Sequence, residues 1–383
     1  MDALERAREV SAGWEERVRA DLPAELDIFD AHTHLGHDID GMVGVYDELI
    51  GGMDGYGVSR ANMFCLDEPD RHPGFQAAND RTLEFAARSD GRLIPFVRLD
   101  LNEGPLEEAV RCLDLGARGI KLHPRAQKFH PNDERLVPVF ALAAERRVPI
   151  LIHAGRGLPP IAAELEKLVD DHPGSQLILA HAGIADLANL AYRFAGKRGV
   201  FFDTSVWSAV DLSCLLRLVP PEQIIYASDY PYGQLSRALL LGLRVALAAG
   251  FDERQLREMF GGTATRIADG GEPLEPSRVQ GIAVLSQPLA LARIHQYLCT
   301  AIPLVYTGDL ADEFEILGLP LNATEEPNDF HREELEQIRE LLVAARDLWQ
   351  VLPEIEDETE RHAATRTTAW LIQIADLIAV TSA

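Results

Sequence analysis

The segment Asp30-Ala-His-Thr-His34 contains two histidines separated by a single residue. It lies at the end of an apolar, β-rich run that predicts a strand. Residues i and i+2 of a strand point to the same side, so His32 and His34 would direct their imidazoles to one place. Two imidazoles so placed can share one metal ion at about 2.0–2.1 Å. The competing interpretation is a surface loop with two polar residues, and this short pattern alone leaves both open.

Four more ionisable residues occur at the ends of apolar runs. His123 lies near the end of Gly119–His123, and His153, His181 and Asp229 each end a separate run. A single histidine in such a position is more often a hydrogen-bonded structural residue. Several ionisable groups at the same end of several strands would instead meet at one point, and burying them unpaired would be costly. A divalent cation is therefore the predicted partner of these side chains.

The runs that carry these residues alternate with amphipathic segments. The predicted strands are Leu26–Ala31, Ser59–Leu66, Leu93–Leu99, Gly119–His123, Pro149–His153, Gln176–His181, Val200–Thr204 and Gln223–Ser228. The predicted helices include Asp80–Arg88, Glu107–Leu115, Glu134–Arg147, Ile161–Asp171, Ile184–Gly196, Ala209–Val219 and Ser236–Ala249. Such alternation implies parallel strands joined by right-handed crossovers. Eight units favour an α/β fold of the (β/α)8 TIM-barrel type, whose active site lies at the C-terminal ends of its strands. A doubly wound sheet is the alternative, although no GxGxxG motif follows the first strand.

The residue pattern of the sequence changes near residue 270, where turn-forming residues cluster and the strand–helix alternation ends. Beyond that point, apolar residues recur at helical spacing, for example from Leu335 to Leu352 and from Trp370 to Ile378. We therefore expect three regions, with an appended all-helical C-terminal part. They are an N-terminal helical segment over 1–25, a metal-dependent TIM-barrel domain over 26–268 and a helical extension over 271–383.

Composition restricts the partners of this chain. It has 383 residues with 36 basic and 61 acidic side chains, a formal charge of −25. This acidic balance argues against nucleic acid or an anionic membrane as the main partner, because both require a basic surface. The four cysteines are far apart, at Cys65, Cys112, Cys214 and Cys299, which indicates reduced thiols in a cytoplasmic protein rather than a disulfide framework. The first 25 residues carry charges at helical spacing and do not fit a signal peptide.

Five short motifs together resemble the amidohydrolase superfamily, and its amidohydrolase-2 branch in particular, which includes relatives of aminocarboxymuconate-semialdehyde decarboxylase. They are Asp30-Ala-His-Thr-His34, Lys121-Leu-His-Pro124, Ile152-His-Ala-Gly155, Leu179-Ala-His-Ala-Gly183 and Ser228-Asp-Tyr-Pro231. The resemblance covers about residues 26–268. It implies that His32, His34, His153 and Asp229 hold one divalent ion, with zinc favoured and Mn²⁺ or Fe²⁺ as alternatives. His181 would lie beside the ion as an electrophile or proton shuttle.

The chemistry expected of such a site is hydrolysis. A cation with an open coordination position lowers the pKa of bound water to about 7. Asp229 could accept the proton of that water, and His181 could polarise a carbonyl group of the substrate. We therefore predict a metal-dependent hydrolase that acts on a C–O or C–N bond of a small carbonyl or carboxylate compound. A non-oxidative decarboxylase that uses the same site is the first alternative, and a catalytically silent binding or assembly protein is the second.

Other residues near the predicted barrel mouth have alternative roles. Lys121 and His123 could bind substrate or, together with His181, hold a second metal ion, although one ion is the favoured arrangement. Arg125, Arg156 and Trp207 are predicted to bind substrate, since a guanidinium recognises a carboxylate through two hydrogen bonds. The C-terminal helices could mediate homo-oligomerisation or cover the barrel mouth.

Overall fold

The computed structural model describes residues 2–281, 287–307, 314–325 and 330–382. The chain divides into two compact units. One unit spans Leu22–Ile282, and the other combines Met1–Asp21 with Ala283–Ala383. The first unit contains every strand among the described residues, and the second is helical.

The first unit is built on a curled sheet of nine strands. They are β1 Ile28–His37, β2 Val43–Gly44, β3 Val58–Cys65, β4 Leu93–Arg98, β5 Gly119–Leu122, β6 Pro149–Ile152, β7 Gln176–Leu179, β8 Val200–Asp203 and β9 Ile224–Ile225. Their order is β2-β1-β3-β4-β5-β6-β7-β8-β9. All neighbours pair in parallel except β1 and β2, which form an antiparallel pair.

The sheet closes on itself between β1 and the chain that follows β9. Thr33 and Tyr230 form a parallel bridge across this seam. Backbone hydrogen bonds support it, from Ala31 N to Tyr226 O at 2.9 Å and from His34 N to Tyr230 O at 2.7 Å. Eight parallel strands and a closed seam define the (β/α)8 barrel, which confirms the predicted fold class.

Helices follow the barrel strands as the alternation predicts. Those of the first unit are α2 Tyr46–Tyr56, α3 Gln76–Arg88, α4 Pro105–Asp114, α5 Leu136–Arg146, α6 Ala162–Asp171, α7 Leu187–Phe194, α8 Ala209–Leu218, α9 Leu235–Ala248, α10 Glu253–Arg257 and α11 Thr263–Ala268. Three of them, α2, α10 and α11, lie outside the predicted segments, and α2 is the longest of the three. Helix α2 contains three glycines, which lower helix propensity, and packing of Leu49 and Met53 one turn apart compensates for them.

The first strand is longer than predicted and ends at His37 instead of Ala31. Its outer half pairs with β2, where Gly36 faces Gly44 and His37 faces Val43. A Cβ atom at Gly44 would lie 2.4 Å from the carbonyl oxygen of His34, so only glycine allows this close approach. As a result, His32 and His34 lie inside a paired strand and not in a loop behind it.

The barrel core explains why the strands read as continuous apolar runs. Side chains from several strands and from α11 form one buried cluster that includes Phe29, Phe64, Phe96, Phe201 and Ile267. A parallel sheet covered by helices is buried on both faces, so its strands carry few polar residues. The polar groups concentrate at the strand ends, where the mouth of the barrel begins.

Within its described residues, the second unit contains five α-helices. They are α1 Ala3–Asp21, α12 Leu289–Thr307, α13 Phe314–Thr324, α14 Arg332–Val351 and α15 Glu358–Thr381. The periodic residues Leu335, Ile338, Leu342 and Leu348 of α14 are buried. The C-terminal region is therefore helical as predicted. The first helix belongs to this unit, whereas the chain around Ser277 belongs to the barrel unit and donates two hydrogen bonds to Glu222.

The helices of the described ranges include none long and apolar enough to cross a membrane.

Candidate metal centre in the barrel mouth

Three predicted ligands converge at the mouth of the barrel. The Nε2 atoms of His32 and His34 are 3.2 Å apart. The Oδ1 atom of Asp229 lies 3.2 Å from His32 Nε2 and 3.3 Å from His34 Nε2. All three residues are buried. Two imidazole nitrogens and a carboxylate oxygen thus face one another at the spacing of ligands around a single ion.

The barrel seam produces this convergence. His32 and His34 lie on β1, and Asp229 follows β9 with its backbone in the left-handed region at φ 60°. The amide of Asp229 donates a 2.9 Å hydrogen bond to the carbonyl oxygen of His32. The buried carboxylate of Asp30 accepts hydrogen bonds from the amides of Ser228, at 2.9 Å, and His32, at 3.1 Å. The seam therefore fixes the ligands on both sides through the backbone.

Asp203, at the end of β8, orients His32. Its Oδ2 lies 2.7 Å from His32 Nδ1, and both side chains are almost fully buried. A carboxylate can only accept here, so His32 Nδ1 carries the proton and Nε2 keeps a free lone pair. The other oxygen, Oδ1, accepts from the amide of His181 at 2.8 Å and from Ser205 Oγ at 2.6 Å. Such a carboxylate behind a histidine is the usual support of a metal ligand.

His153 and His181 form a hydrogen-bonded pair next to this group. His181 Nδ1 lies 2.9 Å from the carbonyl oxygen of Ser205, which can only accept, so this nitrogen carries the proton. His181 Nε2 then accepts from His153 Nδ1 at 2.9 Å. This arrangement leaves a lone pair on His153 Nε2, which is buried and has no hydrogen-bond partner among the described residues. His123 stacks on His153, with ring centroids 3.9 Å apart.

The position of His153 differs from that of the other predicted ligands. The tight group of potential ligand atoms in the barrel mouth consists of His32, His34 and Asp229 and does not include His153. His181 lies between the two sets, because its Nδ1 is 3.9 Å from Asp229 Oδ2. The structure thus brings three of the four predicted ligands together and places the fourth in the adjoining histidine pair.

Lys121 reaches the centre from β5. Its Nζ lies 3.2 Å from His32 Nε2 and 4.5 Å from the centroid of the Phe64 ring. Burial lowers the pKa of Lys121 to about 7, against the opposing effect of Asp229 and Asp203. The amine can therefore exist without charge near neutral pH, which suits a position beside a cation.

The electrostatics of the centre favour neutral imidazoles and an ionised carboxylate. Burial lowers the pKa of His32 and His34, and it lowers that of His153 to about 2. Burial would raise the pKa of Asp229, but the neighbouring histidines outweigh it and bring the pKa to about 2. Neutral imidazole and ionised carboxylate are the forms that bind metal ions. The buried Nδ1 of His34 is also without a hydrogen-bond partner in the part of the chain that the structure describes.

The centre opens into a cavity of about 460 Å³. Lys121, His123, Arg125 and Trp207 line it together with the ligand group. A smaller adjoining cavity of about 150 Å³ is lined by Arg125, Arg156 and Trp207 among others. Of the predicted substrate residues, Arg156 lines only the smaller of these two cavities, whereas Arg125 and Trp207 line both.

Arg98 is a cavity residue that the sequence analysis missed. It ends β4, lines the larger cavity and is only 2% exposed. Its Nε and Nη2 atoms have no hydrogen-bond partner within the described ranges, and the nearest carboxylate oxygen of Asp67 is 3.8 Å from Nη2. The same signal that identified the histidines, a charged residue at the end of an apolar strand, would have identified Arg98.

Comparison with known proteins defines the class. The family model described as amidohydrolase matches residues 29–267, which is more than half of the chain. The chain therefore belongs to the amidohydrolase family, and the predicted metal-dependent enzyme class is confirmed. Comparison with curated proteins finds no match.

Solved structures share the barrel. A protein from Acinetobacter baumannii described as a probable 2-pyrone-4,6-dicarboxylic acid hydrolase, with citric acid bound, is 12% identical with a TM-score of 0.51, over 64% of this chain and 100% of that chain. The 5-carboxyvanillate decarboxylase of Sphingomonas paucimobilis is 16% identical with a TM-score of 0.50, over 64% and 99%.

A second such decarboxylase comes from Novosphingobium aromaticivorans and is complexed with manganese and 4-hydroxy-3-methoxy-5-nitrobenzoic acid. It is 15% identical with a TM-score of 0.50, over 65% of this chain and 98% of that chain. At these identities the likeness establishes a common fold. The reaction of this chain has to be argued from its own site.

Proposed function

We propose that this protein is a metal-dependent hydrolase that acts on a C–O or C–N bond of a small carboxylate compound. The observation that carries the proposal is the convergence of His32, His34 and Asp229 within 3.3 Å of one another at the wall of an open cavity. Buried groups of this kind would be costly without a partner, and a divalent cation is a partner that all three can share.

The metal would be held by His32, His34 and Asp229, with His153 as the fourth ligand. The free lone pair on the buried Nε2 of His153 supports its inclusion. A set of imidazoles with one carboxylate suits Zn²⁺, and it also suits Mn²⁺ or Fe²⁺, so zinc remains our first choice and not the only one. When bound, the ion would supply Lewis-acid polarisation of the substrate and a water of lowered pKa.

Asp229 would serve as the general base. Its Oδ1 faces the two β1 histidines, whereas its Oδ2 is the oxygen on the side of His181. We assign Oδ2 as the atom that receives a proton from water. His181 would act beside it as an electrophile and not as the acceptor of that proton, because its Nδ1, 3.9 Å from Oδ2, already carries a proton and its Nε2 already accepts a hydrogen bond from His153.

The substrate class follows from the cations in the cavity. Arg98 is buried with two unsatisfied donor atoms, and Arg125 is exposed at the rim of the same cavity. A guanidinium with free N–H groups binds a carboxylate with two parallel hydrogen bonds. We therefore assign the carboxylate of the substrate to Arg98, with Arg125, Arg156 and Trp207 as further contacts.

Decarboxylation is the second candidate reaction. Arg98 and Lys121 both line the cavity that contains the metal centre, and they could hold a carboxylate beside it. Structures with the same barrel include 5-carboxyvanillate decarboxylases as well as a hydrolase. The two reactions differ in their products, because hydrolysis consumes water and decarboxylation releases carbon dioxide.

The experiment that separates them uses full-length protein loaded in turn with Zn²⁺, Mn²⁺ and Fe²⁺. A panel of lactones, amides and aromatic carboxylic acids is assayed for acid release and for carbon dioxide. We expect acid release from at least one lactone or amide, and its loss in Asp229→Asn. Release of carbon dioxide without acid release would show that the protein is a decarboxylase and not a hydrolase. Turnover that persists in metal-free protein would refute both.

The number of ions at this centre is a separate question, since Lys121, His123 and His181 could hold a second one. The relevant quantity is the difference in bound metal between the wild type and the double variant His32→Ala, His34→Ala. A difference of one ion per chain is expected. A difference of two would assign Lys121 and its neighbours to a binuclear site.

A further inference from the structure

A second cluster of ligand-type side chains lies in the helical unit. His295 and Cys299 are one turn apart on α12, and Asp376 lies on α15. One potential ligand atom from each of these residues lies within 4.8 Å of the others. The proposed hydrolase site does not use this cluster, whose members come from a different unit of the chain.

The sulfur–nitrogen distance in the cluster matches that between two ligands of one metal ion. Cys299 Sγ is 3.7 Å from both His295 Nδ1 and His295 Nε2. In a tetrahedral zinc site, bonds of 2.3 Å to sulfur and about 2.05 Å to nitrogen place the two ligand atoms about 3.6 Å apart. His295 Nδ1 and Asp376 Oδ1 are 2.7 Å apart, so a shared proton now links them. A metal ion in place of this proton would require the two atoms to separate to about 3.4 Å, the distance between an imidazole nitrogen and a carboxylate oxygen around tetrahedral zinc.

The surroundings of the cluster differ from one member to the next. Asp376 is only 9% exposed, on a helix whose neighbouring residues Ile374, Ala375 and Leu377 are buried. Cys299, in contrast, is exposed to solvent. A buried carboxylate at the base and an exposed thiol at the rim give an ion a route of entry and leave room for a water ligand.

We propose that His295, Cys299 and Asp376 form a second metal site, which binds a Zn²⁺-class cation and links α12 to α15. Thiolate, imidazole and carboxylate are all ligands that Zn²⁺ accepts, and Co²⁺ can take its place as a spectroscopic probe. Ligands from two helices make such an ion a cross-link, so binding stabilises their packing.

A nucleophilic cysteine is the alternative use of these three residue types. That use requires the sulfur to bond one ring nitrogen while the carboxylate holds the other. Here the sulfur is equally far from both nitrogens, and Asp376 bonds Nδ1. The sulfur therefore makes no specific bond with Nε2, which is the nitrogen that a relay through Asp376 would require.

The test is a Co²⁺ titration of metal-free, reduced, full-length protein. Thiolate ligation produces a charge-transfer absorption in the near ultraviolet, and the barrel centre proposed above contains no sulfur ligand. We expect this band to saturate at one ion per chain and to disappear in Cys299→Ser. His295→Ala and Asp376→Asn should weaken Co²⁺ binding at this site by roughly 10–100-fold.

Cys214 provides the matched control, because it is also an exposed cysteine on a helix. Cys214→Ser should leave the absorption band unchanged. Zn²⁺ should also protect Cys299 from alkylation at least tenfold and leave the alkylation rate of Cys214 unaltered. Absence of the band in the wild type, or its persistence in Cys299→Ser, would overturn the proposal.

Discussion

The barrel unit and the helical unit each bring histidine and carboxylate side chains together, and they do so by different means. In the barrel, the seam between β1 and the chain after β9 joins His32 and His34 to Asp229. In the helical unit, one turn of α12 supplies two of the three residues, and packing of α15 supplies the third. The first arrangement follows from strand topology, and the second depends on how two helices pair.

The two clusters also differ in exposure and in donor atoms. His32, His34 and Asp229 are all buried at the wall of a cavity that can hold a substrate. Cys299 is exposed, and its sulfur replaces one of the imidazoles. A ligand group beside a cavity suits catalysis, whereas a thiolate-containing site between two helices suits stabilisation. Each unit also contains a histidine Nδ1 that lies 2.7 Å from a carboxylate, in the pairs His32–Asp203 and His295–Asp376.

The largest effect is expected for His32→Ala. The change removes a central ligand and uncouples Asp203, so kcat/KM should fall by roughly 10³-fold or more, which corresponds to about 4 kcal/mol. Metal bound at the barrel centre should be lost in parallel. Steady-state assays and metal analysis measure both quantities. His362→Ala, at an exposed position of α15, is the control and should retain activity.

The same variant tests the independence of the two clusters. If they are separate sites, the Co²⁺ band assigned to Cys299 should persist in His32→Ala with unchanged affinity. Loss of that band together with activity would show that the helical cluster depends on the barrel centre.

The sequence predicts much of the barrel centre because parallel topology limits where strand ends can go. His32, His34, His181 and Asp229 each end or follow an apolar run, and the closed barrel brings those ends to one mouth. What the pattern cannot give is side-chain rotation. His153 directly follows β6, one residue beyond the observed strand end, and its ring bonds His181 and lies outside the tight ligand group, a detail that depends on local hydrogen bonds.

The helical cluster could not be predicted in the same way. His295 and Cys299 have helical spacing, but Asp376 is 81 residues from His295 in the sequence. Periodicity identifies the buried face of a helix and does not say which helix covers it. Arg98 was overlooked for a different reason. Its position at the end of β4 could be inferred from the sequence, but arginine is rarely buried, so a cation was not expected in the interior.

The next largest effect distinguishes the role of the His32–Asp203 pair from that of the His295–Asp376 pair. Asp203→Asn removes the charge behind His32 and should weaken barrel metal binding by roughly 10–100-fold, because a supporting carboxylate orients the ligand. The Co²⁺ band of the helical unit should not change. Asp376→Asn should give the reverse pattern. Competition with a chelator of known affinity measures the first quantity, and equal effects of the two variants on both sites would contradict the distinction.

Arg98→Gln sharpens the assignment of the cavity as a carboxylate site. Loss of a two-point hydrogen bond to the substrate should raise KM about 10–30-fold, with a smaller change in kcat, since binding in the ground state is affected most. Arg118→Gln is the matched control, because Arg118 is exposed and precedes β5 at the opposite end of the barrel. A fall in kcat with unchanged KM would place Arg98 in the reaction itself.

The smallest effect concerns Glu108, the barrel unit's counterpart to the buried Asp376. Burial alone would raise the pKa of Glu108, but hydrogen bonds from Arg111, Asn79 and Cys112 together hold the pKa below its ordinary value of 4.5. A carboxylate with a lowered pKa stabilises the fold above its unfolded pKa and loses that contribution as the pH falls through the folded value. Glu108 should therefore stabilise its surroundings at pH 7 and not in acid.

Glu108→Gln measures this contribution with little change of shape. Only the charge-assisted part of the hydrogen bonds is lost, so local stability should fall by about 1 kcal/mol at neutral pH. Hydrogen exchange of the α4 amides reports it, and the difference from the wild type should shrink below pH 4.5. Glu107→Gln, at the exposed neighbouring position, should show little difference at either pH. A pH-independent difference would mean that packing, and not charge, makes Glu108 stabilising. The hydrogen bonds to its carboxylate would then not account for its contribution to stability.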